Sequence, residues 1–139
     1  MADIALTAAQ IAAVNPEWSE IYDFIATEAI TQGQAVYQLT TGKVGVAGAN
    51  AAGKQQFRGI ALRAAGAGQV VPVLKRGMCY GFTISGLNCD ALAYLSDTVG
   101  SLADAAGTKS VIAGRVIALS DANLTKVLYI DARWGDANW

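Results

Sequence analysis

The stretch Ala35-Val36-Tyr37-Gln38-Leu39-Thr40-Thr41-Gly42-Lys43-Val44-Gly45-Val46 decides the fold class. Two short apolar runs, Ala35–Leu39 and Val44–Val46, flank a polar turn that carries a glycine. β-Branched and aromatic residues in short runs, bounded by turn residues, favour strands over helices. The pattern continues outward through Phe57–Leu62, Val70–Leu74, Tyr80–Ile84, Ala91–Leu95, Val111–Leu119 and Lys126–Ile130, with Gly, Asn, Asp and Thr between the runs. No sustained 3.6-residue period follows residue 30. The chain is therefore expected to be all-β, a compact antiparallel β-sandwich or barrel.

The same stretch has an echo. Ala35-Val36-Tyr37-Gln38-Leu39 matches Ala91-Leu92-Ala93-Tyr94-Leu95, and Thr41-Gly42-Lys43-Val44 matches Val99-Gly100-Ser101-Leu102. Further on, Ala51-Ala52-Gly53-Lys54 matches Ala106-Gly107-Thr108-Lys109, and Gly59-Ile60-Ala61-Leu62 matches the run from Gly114 to Leu119. Val70–Leu74 matches Lys126–Ile130. Matches kept in one order at a nearly constant offset are the mark of a repeat. The predicted organisation is an N-terminal arm (1–28), a β core (29–132) made of repeat one (29–76) and repeat two (86–132), and a C-terminal tail (133–139).

Within the arm, the Ala-rich run Thr7–Val14 predicts a short helix capped by Thr7 and stopped at Asn15-Pro16. From Glu17 to Thr27, Ile21, Asp23 and Ile25 alternate with Tyr22 and Phe24, which predicts a strand, with a helix as the runner-up.

The chain has 139 residues, of which 27 are Ala and 15 Gly, and only 15% are charged. Histidine is absent, which removes Ser-His-Asp and Cys-His catalysis and His metal ligands. Two cysteines cannot form a four-cysteine zinc site. A net charge of −1 gives no general basic surface, so no nucleic-acid partner is expected. No apolar run approaches the ~20 residues of a spanning helix, so no membrane association is expected either. Met1-Ala2-Asp3 does not open a signal peptide, which places synthesis in a reducing cytoplasm with Cys79 and Cys89 as free thiols. So few charges suit an exterior that partners cover.

Gly48-Ala49-Asn50-Ala51-Ala52-Gly53-Lys54-Gln55 nearly spells a phosphate-binding P-loop, and Val127–Asp131 imitates its metal-binding strand. Gln55 stands where Ser or Thr must hold Mg²⁺, and residues 55–62 read as strand, so a repeated hairpin loop is the better account. Gly66-Ala67-Gly68 is a turn, and Lys75-Arg76 a solvated basic pair. Glu17, Glu20, Asp23 and Glu28 form an acidic set without partners in repeat one. No catalytic residue, cofactor or metal site is expected. The tryptophans avoid both repeats: Trp18 lies in the arm, Trp134 and Trp139 in the tail. Large aromatics near chain ends point to docking, on the chain's own core or on a partner. Trp18, Tyr22, Trp134 and Trp139 are the candidate partner-binding residues.

The segments Ile30–Tyr37, Thr41–Val44, the Ala-rich loop 47–53, Arg58–Leu62, Gly66–Leu74 and Ala93–Ser96, with the opening Ala5-Leu6-Thr7-Ala8-Ala9, resemble small tailed-bacteriophage capsid cement or decoration proteins. The tail Arg133–Trp139 departs from that pattern. The resemblance implies a non-enzymatic virion protein made in the host bacterial cytoplasm. Such proteins bind the outside of an icosahedral head as homotrimers and clamp neighbouring major capsid proteins. The alternative is a ligand- or glycan-binding β module of a phage fibre or tail, with Tyr80, Phe82 and Tyr94 as its aromatic platform.

Overall fold

The computed structural model describes residues 3–50 and 53–134. Ten strands are present among them: β1 (Ala12–Ala13), β2 (Glu20–Ile25), β3 (Ala35–Gln38), β4 (Val44–Val46), β5 (Phe57–Ala61), β6 (Val70–Tyr80), β7 (Leu92–Leu95), β8 (Leu102–Ala103), β9 (Ile112–Ala118) and β10 (Lys126–Asp131). They form one curled antiparallel sheet, so the protein is all-β as expected. No helix among the described residues is long and apolar enough to cross a membrane.

The strand order is β4-β3-β5-β6-β10-β9-β7-β8. It reads the same from either end when β3, β4, β5 and β6 are exchanged for β7, β8, β9 and β10. The pairing details repeat as well. Tyr37 faces Phe57 after a bulge at Val36/Tyr37, and Tyr94 faces Ile112 after a bulge at Ala93/Tyr94. Gly59 faces Val36, and Gly114 faces Ala93. Gly42 and Gly100 turn the two hairpins at φ 91° and 90°. Just before β3 the chain takes positive φ at Gly33, and just before β7 at Asp90. β6 and β10 join the halves, and the pair at which the two copies meet as equivalents is Arg76 opposite Asp131.

Described residues of the N-terminal arm pair with the sheet at several points. Asp3 bridges Ala103, Ile4 N–H donates to Leu102 O (2.8 Å), and Leu6 bridges Phe82. Residues 3–7 thus join the β8 edge to the extension of β6. Farther along, β2 pairs with β6, Ala26 bridges Val44, and Thr27 N–H donates to Val44 O (2.8 Å). The same segment therefore closes half-barrel one (β3–β6) with residues 20–27 and half-barrel two (β7–β10) with residues 3–7. Ile4, Ile11 and Ala26 are buried in doing so.

The helix expected over Thr7–Val14 is absent. Only Ala8–Gln10 makes a 3-10 turn, and Ala12–Ala13 pairs with Tyr80 and Cys79 as β1. Backbone pairing to a waiting strand outweighs alanine's helix preference in so short a segment.

Two apolar clusters follow. Half-barrel one encloses Val36, Val44, Val46, Ala61, Val71 and Val73, with Ala26, Ile30 and Ala65 from its loops. The second cluster holds the equivalent positions of half-barrel two, Ala93, Leu102, Val116 and Leu128. It also takes in Ala35, Phe57, Ile60 and Leu74 from the other face of half-barrel one. The outer face of the first half thus packs against the inside of the second.

Candidate functional site

Trp18 sits at the end of a 3-10 turn, Pro16–Trp18, which Pro16 starts and Ser19 Oγ braces by donating to Asn15 O (2.7 Å). Its side chain is 84% exposed, and it joins no aromatic pair among the described residues. Tyr22 lies on β2, 43% exposed. Trp134 follows β10 and folds back over β2. Its ring lies 5.0 Å from Tyr22 and 5.9 Å from Phe24, and Lys75 Nζ stands 4.6 Å above it. Its indole N–H donates to Arg58 O (2.9 Å). Aromatic pairs and a cation over a ring each contribute about 0.5–1.5 kcal/mol. Trp134 is therefore held by its own sheet. Tyr22 and Trp134 come together, whereas Trp18 stands apart. Trp139 lies outside the described residues.

An ion network lies beside this cluster. Glu20 reaches Lys75 and Arg76 (3.5 Å each), and Arg76 Nε donates to Asp131 Oδ1 (3.1 Å). That hydrogen bond, and the charge behind it, hold the Arg76 guanidinium above its usual pKa. Glu20 is thus engaged in ion pairs with two cations of β6. Glu28 lies under Gly45, where its carboxylate accepts from Val46 N–H (3.4 Å). The acidic set of the N-terminal segment does not converge on a common point. Among the described residues no group of three or more Cys, Asp or Glu is placed to hold a metal. Both cysteines are free. Burial pushes the Cys79 thiol up to about 12, which keeps it protonated, and Cys89 is exposed.

The P-loop-like stretch has another use. Ala47 and Ala49 are fully buried. Ala49 N–H donates to Ser96 O (2.9 Å), Lys109 N–H to Ala49 O (2.9 Å) and Gly100 N–H to Ala47 O (2.6 Å). These bonds stitch the β4 end of the sheet to the loops of repeat two. The Ala and Gly residues are small because two backbones meet there. Downstream of Lys54 comes β5, where a P-loop requires a helix. Nor do Tyr80, Phe82 and Tyr94 form a platform. Phe82 is buried, Tyr80 ends β6, and Tyr94 lies on β7, three strands away in the sheet order.

Two features escape a sequence reading. Arg58 has a buried NH1 without a hydrogen-bond partner, and burial lowers its pKa, while its carbonyl anchors Trp134. Ile25 and Val70 face each other across β2 and β6, 44% and 59% exposed. With Phe24, Asp23 and Lys43 they line a depression of about 340 Å³ at the tip of the β3–β4 hairpin. The β2 alternation hints at this only once its register against β6 is known. The chain matches no protein-family model, no curated protein and no solved structure.

Proposed function

We propose that this protein is a structural capsid cement or decoration protein. It binds the outside of an icosahedral phage head as a homotrimer and clamps neighbouring major capsid proteins, and it performs no catalysis. The observation that carries this reading is Trp18, a tryptophan held in a braced turn and 84% exposed. Tryptophan is among the commonest interface anchors, and the cost of ordering its backbone is met before binding. The sparse charge of the exterior supports the reading too. A protein that binds only the assembled lattice shifts stability toward the finished shell. Three weak contacts per trimer add through avidity.

The test is co-sedimentation of the purified protein with expanded phage heads assembled from the major capsid protein of the same virus, together with the melting temperature of the particles. The protein is expected to pellet with heads in multiples of three per site and to raise their melting temperature, and Trp18→Ala is expected to lose both effects. Failure to pellet at saturating concentration overturns the proposal.

A further inference from the structure

β2 has one strand beside it and one edge open, for it pairs with β6 alone. Asp23 lies opposite Pro72, which has no N–H, and the Pro72 carbonyl accepts from Leu62 N–H on the far side of β6 (2.9 Å). The pair is therefore a non-bonded one, in which both residues turn their backbone groups away from each other. Asp23 N–H and C=O point out from the sheet edge, and by the strand period of two so does Ile25 N–H. Ala26, one step out of phase, bonds back toward β6 through Gln69 O (2.9 Å). Past the end of the strand the outward row is taken up by β4, where Thr27 N–H donates to Val44 O (2.8 Å). The backbone of Asp23 has no such partner among the described residues.

Proteins usually guard an open edge with several charges, a proline or a bulge. Here one carboxylate, Asp23, which forms no ion pair among the described residues, stands beside the exposed Ile25–Val70 pair. All three line the depression of about 340 Å³ whose other wall is the β3–β4 tip, Thr41 to Lys43. We infer that the open edge of β2 takes an extended segment of the shell protein as an added strand. That segment carries a lysine or arginine opposite Asp23 and an aliphatic residue two positions away, in line with Ile25 and Val70. The added strand satisfies the open backbone groups, and its alternate side chains give the specificity. Opposite charges facing across a strand pair stabilise it, and like charges destabilise it. β2 of a second copy, centred on Asp23, would set carboxylate against carboxylate, so the occupant is a different chain. This rests on the proposed capsid binding and names the chemistry of the segment bound.

The experiment is amide hydrogen exchange of the full chain, free and bound to expanded heads of the same virus, read residue by residue by NMR after release. The Asp23 and Ile25 amides are expected to exchange freely in the free protein and to slow by about 100-fold or more on heads. Phe24 between them, already turned toward β6, should change little, an alternation that a contact lying over the strand does not produce. Two variants follow, with the thermal melt as the control of folding. Asp23→Pro removes the outward N–H at an edge position that proline tolerates. Asp23→Lys reverses the charge on an exposed side chain and keeps the fold even where Asp23→Pro does not. Each should raise the dissociation constant for heads by about 10-fold or more. Bound heads without the alternating protection, or binding that folded Asp23→Lys leaves unchanged, overturn the edge assignment and leave the cement reading standing. Protection already present in the free protein overturns it too: loss on dilution assigns the edge to a second copy, and loss on removal of residues 135–139 assigns it to the chain's own tail. A wild type that does not bind heads overturns the occupant and the cement reading together.

Discussion

In half-barrel one Ala35, Ile60 and Leu74 lie sealed beneath the second half, while at the same three positions half-barrel two presents Leu92, Arg115 and Tyr129 at the surface. The skeletons agree where the backbone requires it: at the hairpin glycines Gly42 and Gly100, at Gly59 and Gly114, and at the matched bulges. They diverge where side chains meet different neighbours. At the point where the copies meet, Arg76 and Asp131 are equivalent positions bearing opposite charge, and they pair with each other. The two halves thus share a frame, and the differences decide which face is sealed within the chain and which is left at the surface.

The largest effect that would break this comparison is removal of the segment closing both halves. A chain lacking residues 1–28 is expected to lose cooperative thermal unfolding altogether, since it exposes the β8 edge and one flank of β6 and removes Ile4, Ile11 and Ala26 from the cores. A cooperative melt of the truncated chain by circular dichroism would show two self-sufficient halves.

Next come the glycines. A Cβ at Gly114 would overlap the Tyr129 carbonyl oxygen, and one at Gly59 the Leu74 carbonyl oxygen, in equivalent places. Gly59→Ala and Gly114→Ala are each expected to cost more than about 3 kcal/mol in urea unfolding. Gly42→Ala meets nothing within 4 Å and carries only its positive φ, for about 1–2 kcal/mol. Equal costs at all three would contradict the shared close approach.

The two described tryptophans should separate stability from binding. Trp134→Ala loses two ring contacts, the Lys75 contact and an indole hydrogen bond, for about 2–3 kcal/mol. Trp18→Ala should change stability by less than about 0.5 kcal/mol. Its effect should appear only in binding to heads.

The smallest effect concerns acid. Thr125 donates its hydroxyl and its backbone N–H to Asp121, holding that carboxyl below its usual pKa. The contribution is full above the ordinary carboxylate value of 3.8 and is lost as pH falls through the lower folded-state value. Asp121→Ala should lower the melting temperature slightly at pH 7, and the difference from wild type should shrink as pH falls below the ordinary carboxylate value.

Much of the frame was legible because it rests on glycines and turns. Gly42/Gly100 and Gly59/Gly114 recur in the same order, with the intervening loop three residues shorter in the second copy, and they mark the repeat. The strand match was one residue out: the structure sets Tyr37 against Tyr94, where the residue patterns set Tyr37 against Ala93. Val70–Leu74 and Tyr80–Ile84 read as separate strands, yet β6 runs unbroken through Lys75-Arg76-Gly77. Those polar residues stay in the strand because four other strands pair with it. β1 and β8 have two residues each, too few for any period. Of the site, the aromatic residues were visible by type. The separation of Trp18 from Trp134, and the Ile25–Val70 pair, depend on register, which no local pattern encodes.

The most direct measurement is hydrogen exchange on the protein free and bound to expanded heads. Added protection is predicted over residues 15–22 around Trp18, with the peptides carrying Ala35, Ile60 and Leu74 unchanged because they are already covered within the chain. Unchanged exchange at residues 15–22 in the presence of saturating heads would contradict the account.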